Sequence, residues 1–135
     1  MLRSRVLLPS DGSETSLKAA AYAARLMKLN PEMKLTVLVV SPEISGFSNL
    51  NSAMETKGKE ILEKTVQIFE EKGLGVDQIN EKGDPAGVIL EYAERGNYDH
   101  IIMGSRGVSE LRGEAIGSVS HKVIYLANCR VTLVK

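Results

Sequence analysis

Short apolar runs alternate with helix-spaced stretches from one end of this chain to the other, and that alternation leaves few folds open to it. Val6-Leu7-Leu8 is a buried strand stopped by Pro9, and residues 35–40 are a nearly unbroken leucine and β-branched run, as expected of a strand covered on both faces. Residues 76–80 alternate weakly, residues 100–103 form another apolar run, and Val131, Thr132, Leu133 and Val134 close the chain as a last strand. Between them lie four helical patterns. Leu17, Ala20, Ala21, Ala24 and Met27 follow a Ser13 cap and end at Asn30-Pro31. Ile61, Leu62, Thr65, Val66 and Phe69 mark the second helix, which ends near Gly73. Asp84-Pro85 supplies an N-cap and an N1 proline ahead of Val88, Ile89, Tyr92 and Ala93. The fourth helix starts at Ser118 and carries Val119, Val123, Leu126 and Ala127.

The order β-α-β-α-β-α-β-α-β predicts an α/β fold, a single domain over residues 1–135 with a doubly wound five-stranded parallel sheet and helices on both faces. Ligands of such sheets sit beyond the strands' carboxyl ends, where the winding reverses. Residues 41–54 are polar and irregular and read as the longest loop, either a lid or a tolerated connection.

Composition narrows the partners. Seventeen Lys and Arg balance seventeen Asp and Glu, so no global charge pulls the chain toward nucleic acid or an anionic membrane, and neither is expected as a partner. The lone Cys129 makes no internal disulfide and reads as a packing residue, in keeping with a reducing cytoplasm. No apolar run approaches the ~18 residues of a membrane span. The basic start is followed by an apolar stretch too short for a signal peptide, ended by Pro9 and Asp11. The expected location is cytoplasmic.

The chemistry is concentrated after the fourth strand. Gly104, Gly107, Gly117 and Ser118 form the pattern G-x2-G-x9-G-S directly behind the run Asp99-His-Ile-Ile-Met103. A strand emptying into a glycine-rich turn, and a glycine-serine step opening a helix, converge backbone N–H groups and a positive helix end on one point. A phosphate suits that point. Glycines admit close backbone approach, the hydroxyls of Ser118 and Ser120 can donate to phosphate oxygens, and Arg106 adds a permanent planar charge. The alternative is a strand-to-helix turn without a ligand, with Arg106 a solvated loop charge. Other phosphate and nucleophile motifs are missing. Gly58-Lys59 is followed by Glu60 and lacks the earlier glycine of a Walker A loop, Gly73-Leu-Gly75 follows a helix and lacks a third glycine, and no G-x-S-x-G elbow occurs. Neither His100 nor His121 has the spaced partner of a metal site, and Asp84 reads as an N-cap alone.

Three segments together resemble the universal stress protein family: Val6-Leu-Leu-Pro-Ser-Asp-Gly-Ser13, Gly83-Asp-Pro-Ala86, and Ile101-Ile-Met-Gly-Ser-Arg-Gly107 through Gly117-Ser-Val-Ser120. The likeness covers essentially the whole chain, and the G-x2-G-x9-G-S element resembles the marker of that family's ATP-binding branch. It implies a Rossmann-like sheet with the first and fourth strands adjacent, bringing Pro9, Ser10 and Asp11 beside Met103 and Gly104. It further implies that Asp11 faces the adenosine, with Ser10 next to it, although Asp11 beside Gly12-Ser13 can also cap the first helix. Val40 would contact the adenine through its backbone, and Met103 and Gly104 would line the ribose. Arg106, Gly107, Gly117, Ser118, Val119 and Ser120 would surround the triphosphate.

The implied cofactor is ATP with Mg2+ or Mn2+ carried by its phosphates, AMP or a cyclic nucleotide remaining open. The implied assembly is a homodimer through Val131 to Val134, with a further protein partner unknown. The family's usual proline before the last strand is replaced by Cys129-Arg130. The expected function is an ATP-binding stress-response regulator. The alternatives are a slow ATPase or phosphoryl or nucleotidyl transferase using the same cleft, and a nucleotide-free dimeric scaffold.

Overall fold

The computed structural model describes residues 4–43, 46, 48–106 and 117–135. Its elements run in the expected order: β1 (Arg5–Pro9), α1 (Glu14–Leu29), β2 (Lys34–Ser41), α2 (Ser48–Glu70), β3 (Asp77–Lys82), α3 (Pro85–Arg95), β4 (His100–Gly104), α4 (Ser118–Leu126) and β5 (Arg130–Val134). The five strands lie in the order β3-β2-β1-β4-β5, every neighbouring pair parallel. The winding reverses between β1 and β4, so the first and fourth strands are neighbours.

Period-two alternation sorts the strand side chains into two cores. Val6, Leu8, Val37 and Ile102 pack on one side with Ala19, Ala20, Ala23, Ala24, Val66 and Phe69, so α1 and α2 cover that face. Leu7, Leu38, Ile101 and Met103 point the other way, against Ala86, Ile89 and Ala93 of α3 and Val123 of α4. The alanine stripe on α1 lets that helix lie close to the sheet. Phe69, fully buried, is the largest side chain that α2 brings to this core. The two edges differ: β3 is polar (Asp-Gln-Ile-Asn-Glu-Lys), whereas β5 presents Val131, Leu133 and Val134.

The caps form as their residue types predict. The Ser13 hydroxyl accepts from the Ser16 N–H, and the Asp84 carboxylate accepts from the Gly87 N–H at 2.9 Å with Pro85 at the start of α3. Pro9 does not stop β1 but is its last residue, opposite Leu38, and the pairing continues through the Ser10 N–H to the Leu38 carbonyl at 2.9 Å.

The expected long loop over residues 41–54 is a correction: α2 already begins at Ser48. The reason is physical. From Met54 on, α2 borders the open end of the sheet with residues of mixed polarity, so no apolar stripe marks this part of the helix. Polar ties hold it instead, with the Ser41 hydroxyl donating to the Met54 carbonyl and Lys82 paired with Glu55. Within the described residues no helix is long and apolar enough to cross a membrane.

Candidate functional site

A cavity of about 700 Å³ opens at the carboxyl ends of β1, β2 and β4, where the winding reverses. That volume lies inside the roughly 300–1,000 Å³ range of small-molecule sites. Pro9, Ser10, Asp11, Val40, Met103, Gly104, Arg106, Ser118, Val119 and Ser120 all line it. Gly117 lies just behind, buried, its N–H donating to the Ser105 carbonyl at 2.6 Å. Gly107 lies outside the described residues.

Asp11 is both cavity wall and brace. Its Oδ1 accepts from the Ser13 N–H at 3.0 Å and from the Ser16 hydroxyl at 2.8 Å, which fixes the carboxylate against the first turn of α1. Gly12 follows in the left-handed region, φ 79°, with the side chain of Ile61 3.2 Å from where a Cβ would stand. Glycine is required there by dihedral and by space.

Several hydroxyls around the cavity serve the protein's own backbone. Ser10 and Thr65 share a buried bond of 2.8 Å. The Thr65 hydroxyl donates to the Ile61 carbonyl, so the shared proton comes from Ser10, whose oxygen accepts from the Gly12 N–H. The joint therefore ties the β1–α1 turn to α2. The Ser120 hydroxyl, nearly fully buried, donates to the Ser105 carbonyl at 2.7 Å and lies 3.2 Å from that of Gly117. Ser118, at the start of α4, is exposed. The N-cap of α4 is Gly117, which makes no side-chain capping bond, unlike Ser13 on α1 and Asp84 on α3. The positive end of α4 thus faces the cavity, and its N-cap residue supplies no carboxylate or hydroxyl.

The fourth wall is the part the sequence reading missed. Met54, Lys57, Gly58, Ile61 and Lys64 of α2 line the cavity, at spacings of three and four that place them on one helix face. Lys57, Lys64 and Arg106 bring three cationic side chains to the lining, against the carboxylates of Asp11 and Glu60. The helical spacing could have revealed this face, but its mixed polarity hid it. Outside the cavity, His100 Nε2 lies 2.7 Å from the Thr132 hydroxyl and helps join β4 to β5. Burial, with Arg130 beside it, pushes the His100 pKa down. Burial also pushes the Cys129 thiol up, away from thiolate chemistry.

Gly104 has a steric reason of its own. A Cβ there would stand 2.6 Å from the backbone nitrogen of Ser16 and press on Thr15. Backbone cannot yield as a side-chain tip does, so Gly104→Ala is expected to destabilise the fold by about 1–3 kcal/mol. Thermal unfolding of the unliganded variant checks this. An unchanged midpoint would contradict the close approach.

The chain matches the model of the universal stress protein family over residues 3–135. It is 33% identical to a universal stress protein of Methanocaldococcus jannaschii across 99% of this chain and 83% of that one. The solved structure of the hypothetical protein MJ0577, also of M. jannaschii, superposes with a TM-score of 0.83 at 30% identity, covering 100% of this chain and 97% of the other. A universal stress family protein of Arabidopsis thaliana, solved with AMP bound, shares the fold at 22% identity, with a TM-score of 0.73 over 98% of this chain and 91% of that one. With fold, glycine pattern and family model in agreement, this chain belongs to the universal stress protein family.

Proposed function

We propose that the chain is an ATP-binding regulatory protein of the stress response, acting in the cytosol, whose nucleotide state biases a dimer or partner surface. One observation carries the reading: the N-terminus of α4, capped by a glycine, faces a cavity at the switch point that is also lined by Arg106, Lys57 and Lys64. Helix end and cations favour a polyanion, and the apolar lining from Leu38, Val40, Met103 and Ile89 suits a flat base. The plant neighbour with AMP is joined by solved universal stress proteins holding dAMP and cAMP, which supports an adenine nucleotide as guest.

In this reading Asp11 and the backbone at Val40 address the nucleoside, Met103 and Gly104 flank the ribose, and Arg106, Gly107 and residues 117–120 take the phosphates. Mg2+ or Mn2+ enters with the triphosphate and neutralises part of its charge. Binding dominates over turnover. The Asp11 carboxylate is already braced by Ser13 and Ser16, which suits a fixed contact better than a base moving protons from water.

The reading includes a homodimer through β5. That strand is an edge of the sheet and carries Val131, Leu133 and Val134 where β3 has Ile79 alone among polar residues, and Ile124, Tyr125 and Leu126 of the preceding helix are exposed. An apolar parallel edge is a pairing surface. Sedimentation equilibrium at micromolar concentration is expected to give a dimer; a monomer would remove this part of the reading.

Thermal unfolding with Mg-ATP tests the nucleotide. Ligand at about a hundredfold above Kd stabilises by about 2.7 kcal/mol, a rise of about 6–12 °C for a domain of this size. Ser118→Glu adds a carboxylate where a helix start favours one, so the unliganded fold should be kept or strengthened. The same charge repels phosphate, so the ATP-dependent rise should vanish. A variant that keeps the full rise would put the phosphates elsewhere.

A further inference from the structure

We propose that Thr15, in the first turn of α1, is a positioning residue for the nucleotide cleft, its hydroxyl fixing the backbone of Arg106. The proposal rests on the nucleotide reading above. Thr15 Oγ1 donates to the Arg106 carbonyl at 2.7 Å and accepts from the Arg106 N–H at 3.4 Å. One hydroxyl therefore engages both backbone polar groups of a single residue, which restricts its two soft dihedrals and with them the direction in which its side chain leaves the turn. Arg106 lines the cavity, directly after the strand β4 that forms its floor.

Its neighbour cannot do the same work. The Ser13 hydroxyl also reaches the Arg106 carbonyl, at 3.2 Å, but its single proton is contested by Ser16 Oγ at 3.1 Å. Its oxygen is already the N-cap acceptor for the Ser16 N–H at 3.3 Å. Ser13 holds the helix and Thr15 holds the turn. The absent side chain of Gly104 is what lets them meet, since a Cβ at that position would occupy the space of Thr15 and the Ser16 nitrogen. In this scheme the first glycine of the motif serves the docking of α1, and the order it creates reaches the ligand through Arg106. A turn already ordered before binding loses less conformational entropy when the nucleotide arrives.

The test compares Thr15→Val, which keeps the shape and removes the hydroxyl, with Thr15→Ser and Ser13→Ala, by calorimetric titration with Mg-ATP. Thr15→Val should weaken binding about three- to tenfold, the value of one hydrogen bond. Thr15→Ser should restore it, and Ser13→Ala, which removes the N-cap of α1, should lower the unfolding temperature. In the nucleotide-free protein, hydrogen exchange at the Arg106 amide should accelerate in Thr15→Val alone. Wild-type affinity in Thr15→Val, or no rescue by serine, would overturn the proposal. If the wild-type protein itself takes up no ATP, the nucleotide reading falls, and the Arg106 amide decides separately whether Thr15 holds the turn: unchanged exchange would overturn that as well.

Discussion

The close approach of α1's first turn to the backbone at Gly104 is the contact on which the rest of this structure depends. β1 and β4 run side by side, and their connections leave toward opposite faces, which opens a cleft at their carboxyl ends. A side chain at residue 104 would push α1 away and widen that cleft into solvent. With glycine there, the helix comes down onto the turn, and hydroxyls from its first residues reach the Arg106 carbonyl. On the opposite wall, Ser10 and Thr65 pin α2 to the β1–α1 turn, so the cavity is bounded by joints made of short polar side chains.

Those joints change how a serine-rich rim should be understood. Ser10, Ser13, Ser16 and Ser120 carry the residue chemistry of ligand donors, yet each has a proton directed to a protein acceptor. What the cavity offers to an anion is therefore mostly backbone at the start of α4 and the cations of Arg106, Lys57 and Lys64. Such a surface suits a polyanion, and its hydroxyls are already committed within the protein. Among the described residues the Asp11 carboxylate is held by Ser13 and Ser16, in keeping with the proposed nucleotide-controlled regulator.

The sheet was legible because its three central strands, β1, β2 and β4, are buried on both faces, which forces continuous apolar runs, and because Asp84-Pro85 and Asn30-Pro31 punctuate the helices without ambiguity. The reversal between β1 and β4 was legible through the family resemblance and is what the sheet order shows. The start of α2 was not legible. Around Met54 and Glu55 the helix borders a cavity and is tied by Ser41 and by the Glu55–Lys82 pair, interactions that leave no hydrophobic period to read. Lys57 and Lys64 were missed for the same reason. Gly104 shows a different limit: its residue type announces a close approach but cannot say whether ligand or helix approaches, and in the structure it is the helix.

The central claim is that a nucleotide sits at the switch point, with its phosphates on the start of α4. Titration of the 15N-labelled protein with Mg-ATP, followed amide by amide in heteronuclear NMR, tests it most directly. The account predicts saturable shifts concentrated at Asp11, Gly12, Val40, Gly104 to Arg106 and Ser118 to Ser120, with β3 and the carboxyl end of α1 unmoved. Shifts confined to another surface, or none at millimolar nucleotide, would contradict it.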